Sequence, residues 1–287
     1  MRAASLNDAS HTIGAALERI TRALQSVSPT ARLDAEVLVM HVCGLDRSGL
    51  IARGHTVLTD AQDRRLDDLQ GRRRLGEPVA YLTGWREFWS MDFAVSTSTL
   101  IPRPETELLV EMALARIPPD ASWTIADLGT GSGAIALAIA RERPRCRVIA
   151  TDISSAALEV ARANADRFGL TKVEFRHGDW LSPLADEVFD MIVSNPPYIC
   201  TADTHLEAGD LRFEPRLALV GGTDGLDAID HIASAAGRNL RPDGSLLIEH
   251  GSSQAGAVSE LLRCRDYHDI VCTPDLAGHA RITSGRR

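Results

Sequence analysis

Asn195-Pro196-Pro197-Tyr198 puts a carboxamide, two prolines and a phenol directly after the apolar run Met191–Ser194. Two prolines cannot continue a β-ladder, because neither has an N–H to donate. Their carbonyls and the Asn195 side chain are therefore free to face a cleft. Such a set suits chemistry at a planar amide nitrogen, a weak nucleophile because its lone pair is delocalised into the carbonyl. The Asn195 oxygen and the Pro196 carbonyl can hold both N–H groups and aim the lone pair out of plane at a methyl sulfonium. Tyr198 can stack on the flat amide. Positive charge grows on the nitrogen during attack, so these acceptors bind the transition state more tightly than the ground state. Aligning methyl donor, nitrogen and leaving sulfur removes much of the entropic barrier. No general base is demanded, since an alkylated amide nitrogen is acidic.

A second constellation is Asp127-Leu128-Gly129-Thr130-Gly131-Ser132-Gly133, with Asp152 nineteen residues beyond Gly133. The glycines allow a sharp turn and close approach of the backbone to a ligand at a helix N-terminus. A carboxylate at the place of Asp152 can accept both hydroxyls of an adenosine ribose. By itself the turn serves a nicotinamide dinucleotide or S-adenosylmethionine, and a ligand-free strand-to-helix turn also remains open. Gly178-Asp179-Trp180 offers a carboxylate or an indole to hold an adenine ring, unless Trp180 is merely core.

These residues need a scaffold, and the apolar pattern supplies one. Thr124–Leu128, Arg147–Thr151, Val173–Arg176, Met191–Ser194, Ser245–Glu249 and His268–Cys272 read as strands. Helices at Ala134–Arg143, Ser154–Phe168 and Leu226–Leu240 fall between most of them, and another runs from Glu105 to about Ile117. The alternation predicts an α/β domain over residues 105–287 with a mostly parallel sheet. Ligands of such sheets lie beyond the carboxyl ends of the strands, where both constellations fall. Residues 1–80 read instead as a small helical bundle for partner recognition. Ile13, Leu17, Ile20, Leu24 and Val27 mark one helix face, and Ser28-Pro29 is expected to open a second helix. Thr59 and Gln62 form a capping box ahead of a polar helix to about Arg74. Between the two, 81–104 is expected as a β-hairpin and extended connector.

Composition narrows the partners. Of 287 residues 44% are apolar and 24% charged, an ordinary globular balance. No apolar run nears the roughly 18 residues of a membrane span; the longest tight one is Ala134–Ala140. The first 25 residues carry Asp8 and Glu18 and lack the pattern of a secretory signal, so a soluble cytoplasmic protein is expected. The net charge of −8 is uneven: residues 1–85 hold 11 basic and 10 acidic side chains, residues 86–287 hold 20 and 29. An acidic second half suits a protein acceptor better than a duplex. Arg72-Arg73-Arg74 reads as a solvated helix face. Cys43, Cys146, Cys200, Cys264 and Cys272 have no metal-ligand spacing and are expected as reduced, mostly buried thiols, so no metal is expected.

The sequence resembles the bacterial peptide-chain release factor glutamine methyltransferases over nearly its whole length. The likeness rests on Thr99–Glu107 (TLIPRPETE), Asp127–Gly133, Asn195–Tyr198, Phe213-Glu214-Pro215 and Gly221-Gly222-Thr223-Asp224-Gly225. The NPPY string alone is shared with nucleic-acid amino methyltransferases. The Ile-Pro-Arg-Pro-Glu-Thr stretch and the helical N-terminal region are more specific. The resemblance implies a seven-stranded, Rossmann-like class I methyltransferase sheet whose final strand is antiparallel. It implies S-adenosylmethionine held by Gly129, Thr130, Gly131, Ser132, Gly133, Asp152, Trp180 and Asn195. It implies as substrate the glutamine of a Gly-Gly-Gln tripeptide in class 1 release factors, bound by Asn195, Pro196, Pro197 and Tyr198, with Asn195, Pro196 and Tyr198 catalytic. A monomer with no direct nucleic-acid or membrane partner is expected, and a ribosomal-protein glutamine is the alternative acceptor. Glu105, Glu214 and Arg103 are not counted as catalytic.

Overall fold

The computed structural model describes residues 11–287; Asp8, in the stretch screened for a targeting signal, lies outside them. These residues divide into two compact units, one ending at Gly84 and the other spanning Trp85–Arg287.

In the first unit α1 (Ile13–Leu24), α2 (Ala31–Cys43), α3 (Arg47–Ala52), α4 (Asp60–Arg74) and α5 (Val79–Thr83) enclose one apolar core. The α1 stripe is buried from Ile13 to Leu24, whereas Val27 falls past the helix end and is exposed. The capping box at Thr59 is present, each residue accepting the other's backbone N–H. Ser28-Pro29 does not open α2, which starts at Ala31. The Ser28 hydroxyl accepts from the Thr30 N–H at 3.2 Å and donates to Asp34 at 2.8 Å, so it braces the turn that precedes the helix. Arg73 also departs from the expected solvated face. Its Nε donates to Asp34 Oδ2 at 2.8 Å, and both side chains are only 8% exposed. A cation can be buried here because a carboxylate from α2 meets it, and removing either partner would cost about 3–5 kcal/mol.

The second unit opens with a hairpin, β1 (Trp85–Phe88) and β2 (Met91–Ala94), whose Phe88, Met91 and Phe93 are buried. They share a core with α6 (Glu107–Arg116) and α7 (Ala134–Glu142). Residues 81–104 are therefore not a separate connector. The start of that stretch completes α5, and the hairpin cannot leave three large apolar side chains in water.

Seven strands follow: β3 (Thr124–Leu128), β4 (Arg147–Asp152), β5 (Glu174–His177), β6 (Phe189–Ser194), β7 (Leu240–Glu249), β8 (His268–Pro274) and β9 (Ala280–Arg286). Their order is β5-β4-β3-β6-β7-β9-β8, with β9 antiparallel to both its neighbours. Helices α6 and α7 cover one face, joined by part of α8 (Ser155–Phe168), while α9 (Asp227–Asn239) and α10 (Ala255–Cys264) cover the other. Burial on both faces explains the unbroken apolar runs Met191–Val193 and Leu246–Ile248, fully inaccessible to solvent. Strand β7 is longer than the apolar pattern implies. Its polar start pairs Leu240 with Phe189 across a bulge before the regular register resumes at Ser245. Order reverses between β3 and β6, which opens a crevice at their carboxyl ends.

The cysteines correct another expectation. Cys264 is exposed and the other four are half-buried, none fully enclosed. Among the described residues no helix is long and apolar enough to cross a membrane.

Candidate active site

The crevice is a cavity of about 520 Å³, within the usual range for a small-molecule site. Gly129, Gly131, Asp152 and Trp180 line one part; Asn195 and Pro197 line another. Both constellations therefore meet in one space.

The glycine turn is held by its neighbours. The N–H groups of Gly129 and Thr130 both donate to the Thr151 carbonyl at the end of β4. Gly129 has φ +71°, and a Cβ there would sit 3.0 Å from the Trp180 ring, so the indole packs directly against bare backbone. Thr130 and Ser132 are buried beneath the turn and, with Gly133, do not line the cavity. The Thr130 hydroxyl donates to Asp127 Oδ2 at 2.6 Å. The Ser132 carbonyl accepts from Asn164 Nδ2 at 2.9 Å, and the same Asn164 side chain clasps both backbone groups of Ala94. Gly133 begins α7 with φ +86°. Sequence pattern gives no hint of Asn164, because it is one polar residue inside an ordinary helix.

Asp152 lines the cavity. Its Oδ2 accepts from the Gly131 N–H at 2.9 Å and its Oδ1 from the Ser154 N–H at 2.8 Å. Lone pairs remain for hydroxyl donors. Burial raises its pKa against those two bonds. Asp127, completely buried, is pushed up to about 7 by burial, and its Oδ1 has no hydrogen-bond partner among the described residues. Trp180 is both wall and core: it lines the cavity, packs against the apolar cluster on the α9 and α10 face, and has a strained φ of 44°.

Asn195 follows β6, and its Nδ2 donates to the Thr106 hydroxyl at 3.0 Å. That bond directs the amide nitrogen to the protein and leaves Oδ1 available to a ligand. Pro197 lines the cavity; Pro196 is buried and Tyr198 half-buried, and neither is part of the lining. The Tyr198 hydroxyl reaches Glu249 Oε1 at 3.4 Å, and its pKa is raised, first by burial and then by that carboxylate. The Gly221–Gly225 stretch cradles this segment. At Gly225, φ +78°, a Cβ would lie 2.2 Å from the Tyr198 carbonyl oxygen, so no side chain fits. Glu214, buried to the tip of its side chain, accepts from the Ile101 N–H at 3.0 Å and binds Arg103. It fixes the Ile101–Thr106 stretch beside the cavity, while Glu105 stays exposed. Thr106 and Glu249 are the residues sequence reasoning missed. Thr106 stands in the TLIPRPETE stretch, but nothing in its spacing pairs it with an asparagine 89 residues away.

The family described as "PrmC N-terminal domain" matches residues 15–84, and that described as "Methyltransferase small domain" matches residues 104–213. A release factor glutamine methyltransferase of Salmonella typhimurium is 49% identical over 94% of this chain and 96% of its own. The chain belongs to the release factor glutamine methyltransferase family. One from Xylella fastidiosa is 50% identical over 89% of this chain and 93% of its own. A methyltransferase structure from Pyrococcus furiosus, 18% identical with a TM-score of 0.53, covers 77% of this chain and 98% of its own and shows the shared fold. Membership settles the choice left open by the glycine turn: the family is S-adenosylmethionine-dependent. The residues present fit that group. The Asp152 carboxylate suits ribose hydroxyls, the Trp180 indole suits a flat base, and the side-chain-free turn at Gly129 and Gly131 leaves room for both.

Proposed function

We propose that this chain methylates the side-chain amide nitrogen of the glutamine in the Gly-Gly-Gln motif of class 1 release factors. The observation that carries the reading is the Asn195 carboxamide, tied back through Nδ2 to Thr106, in the same cavity as Gly129 and Asp152. When bound, S-adenosylmethionine supplies an electrophilic methyl group on a sulfonium sulfur. Gly129, Gly131, Asp152 and Trp180 hold it, with Thr130, Ser132 and Gly133 shaping the turn from beneath. Asn195 Oδ1, in the cavity wall, accepts one amide hydrogen of the glutamine, and the other is assigned to the carbonyl of Pro196, a buried residue next to that wall; together they orient the nitrogen. As that nitrogen gains positive charge, its N–H groups become stronger donors, so both acceptors favour the transition state. Pro197 and Tyr198 shape the slot for the amide plane. The proton leaves after alkylation, when it is acidic enough for water.

Residues 1–80 serve to grip the protein partner, which fits a helical unit with an apolar core of its own. The acidic balance of residues 86–287 favours a protein acceptor over nucleic acid. Action as a monomer in the cytoplasm belongs to the same reading. A labelled-methyl assay against purified release factor, ribosomes and DNA tests the reading. Label is expected in release factor alone; label in ribosomal protein or DNA, with none in release factor, would overturn it.

A further inference from the structure

We propose that Asn164 and Gln254 are positioning residues, the first fixing the cofactor half of the cavity and the second the acceptor half. The Gln254 half rests on the methyl-transfer reading and adds to it the device that holds its amide-binding segment. A carboxamide rotated by 180° has nearly the same shape, so only its partners fix its direction. Here the partners are backbone groups, whose roles cannot reverse. In each side chain the oxygen meets an N–H and the NH₂ meets carbonyls.

Asn164, on α8, is completely buried. Its Oδ1 accepts from the Ala94 N–H at 2.8 Å, and its Nδ2 donates to the carbonyls of Ala94 and Ser132 at 3.0 and 2.9 Å. The Gly129 and Thr130 N–H groups tie the first half of the glycine turn to Thr151, and Asn164 ties the second half to the end of β2. Ala94 leads into Ser98, Thr99 and Leu100, which line the cavity with Gly129 and Gly131. One side chain thus sets the spacing of two walls. Gln254, just ahead of α10, does the same for the acceptor segment. Its Oε1 accepts from the Gly251 N–H at 2.8 Å, and its Nε2 donates to the carbonyls of Tyr198, Asp224 and Gly225 at 3.1, 3.2 and 3.3 Å. Pro196 and Pro197 have no N–H with which to anchor themselves, so the Asn195–Tyr198 segment needs a donor from outside. At Gly225 a Cβ would lie 2.6 Å from Nε2, so the amide packs on bare backbone. Gln254 thereby joins the segment to the Gly221–Gly225 stretch, whose Gly221 and Gly222 also line the cavity.

The test uses the full chain, titrating S-adenosylmethionine by calorimetry and measuring steady-state methylation of release factor. Asn164→Ala leaves the Ala94 and Ser132 carbonyls without their donor. Cofactor Kd should rise about ten- to hundredfold, while kcat at saturating cofactor and KM for release factor stay near wild type. Gln254→Ala should do the reverse, lowering kcat about ten- to hundredfold with cofactor Kd near wild type. Gln254→Glu keeps the acceptor for Gly251 but sets a carboxylate oxygen against the three carbonyls, so it should be no better than Gln254→Ala. Phe189→Leu, in the core at the amino end of β6, should lower the melting temperature and move neither constant. Kd and kcat shifting together in both carboxamide variants, or Phe189→Leu reproducing either effect, overturns the proposal. So does wild-type behaviour in Asn164→Ala, Gln254→Ala or Gln254→Glu. Should Asn164→Ala not fold, Asn164→Ser, a milder truncation, gives the Kd reading. Wild-type protein inactive on release factor would remove the functional reading and the Gln254 assignment with it; cofactor Kd, which needs no acceptor, would still judge Asn164.

Discussion

Strand β4 begins at Arg147 and ends at Asp152, and its two ends handle charge in opposite ways. At the start, Arg147 bonds Glu174 and Glu187 at 2.7 and 2.8 Å, and Arg176 bonds the same two carboxylates. All four are partly in water, and the two guanidinium groups pull Glu187 down to about 2. At the carboxyl ends of β3, β4 and β7, Asp127, Asp152 and Glu249 have no bonded cation among the described residues, and burial raises the pKa of all three. A sheet selected for stability alone would pair those carboxylates or replace them. Instead they accept from backbone N–H and hydroxyl groups, and of the three only Asp152 lines the cavity. Polar groups with incomplete partners mark the working end of the sheet.

Substitutions can break or sharpen that contrast. Gly225→Ala pushes a methyl group onto the Tyr198 carbonyl oxygen and strains a left-handed backbone. It should cost about 2–4 kcal/mol and abolish most turnover, read by thermal unfolding and methyl transfer. Asp152→Asn keeps the shape but weakens acceptance of ribose hydroxyls. Cofactor Kd should rise about ten- to hundredfold in calorimetric titration, with less effect on stability.

Glu249→Gln tests the electrostatics. Because its native pKa of about 7 lies above its ordinary value of 4.5, the native state binds the extra proton between those limits. The stability contribution of Glu249 is therefore present below about 4.5 and is lost as pH rises through 7. The variant should gain on wild type by about 1–3 kcal/mol between pH 5 and 8 in paired denaturant titrations. Glu187 behaves oppositely: its contribution is present above 4.5 and is lost as pH falls through about 2. Arg147→Ala, at the exposed end, should cost at most about 1 kcal/mol and leave turnover unchanged. A large loss of activity there would erase the distinction between the two ends.

Much of this site is legible in the sequence because it is local. The glycine turn, Asp152 at its fixed distance and the proline pair after a strand each follow from neighbours along the chain. What pairs across the fold is not. Thr106 reaches Asn195 from the turn ahead of α6, and Glu249 ends the strand paired beside it, so the tertiary fold alone makes these segments neighbours. Arg73 looks like one of three surface arginines until α2 delivers Asp34 beneath it. Strand β9 has few apolar residues, so periodicity does not reveal it; the family resemblance implied it instead. Phe88, Met91 and Phe93 suggest a hairpin, yet nothing local shows which core takes them.

The central claim is that Asn195 presents its oxygen to the amide being methylated. Steady-state methylation of purified release factor by Asn195→Ala, with the modified glutamine mapped by mass spectrometry, tests it most directly. The account predicts that kcat falls about 10²- to 10³-fold while the unfolding temperature stays near wild type. Turnover close to wild type, with the methyl group on that same glutamine, would contradict it.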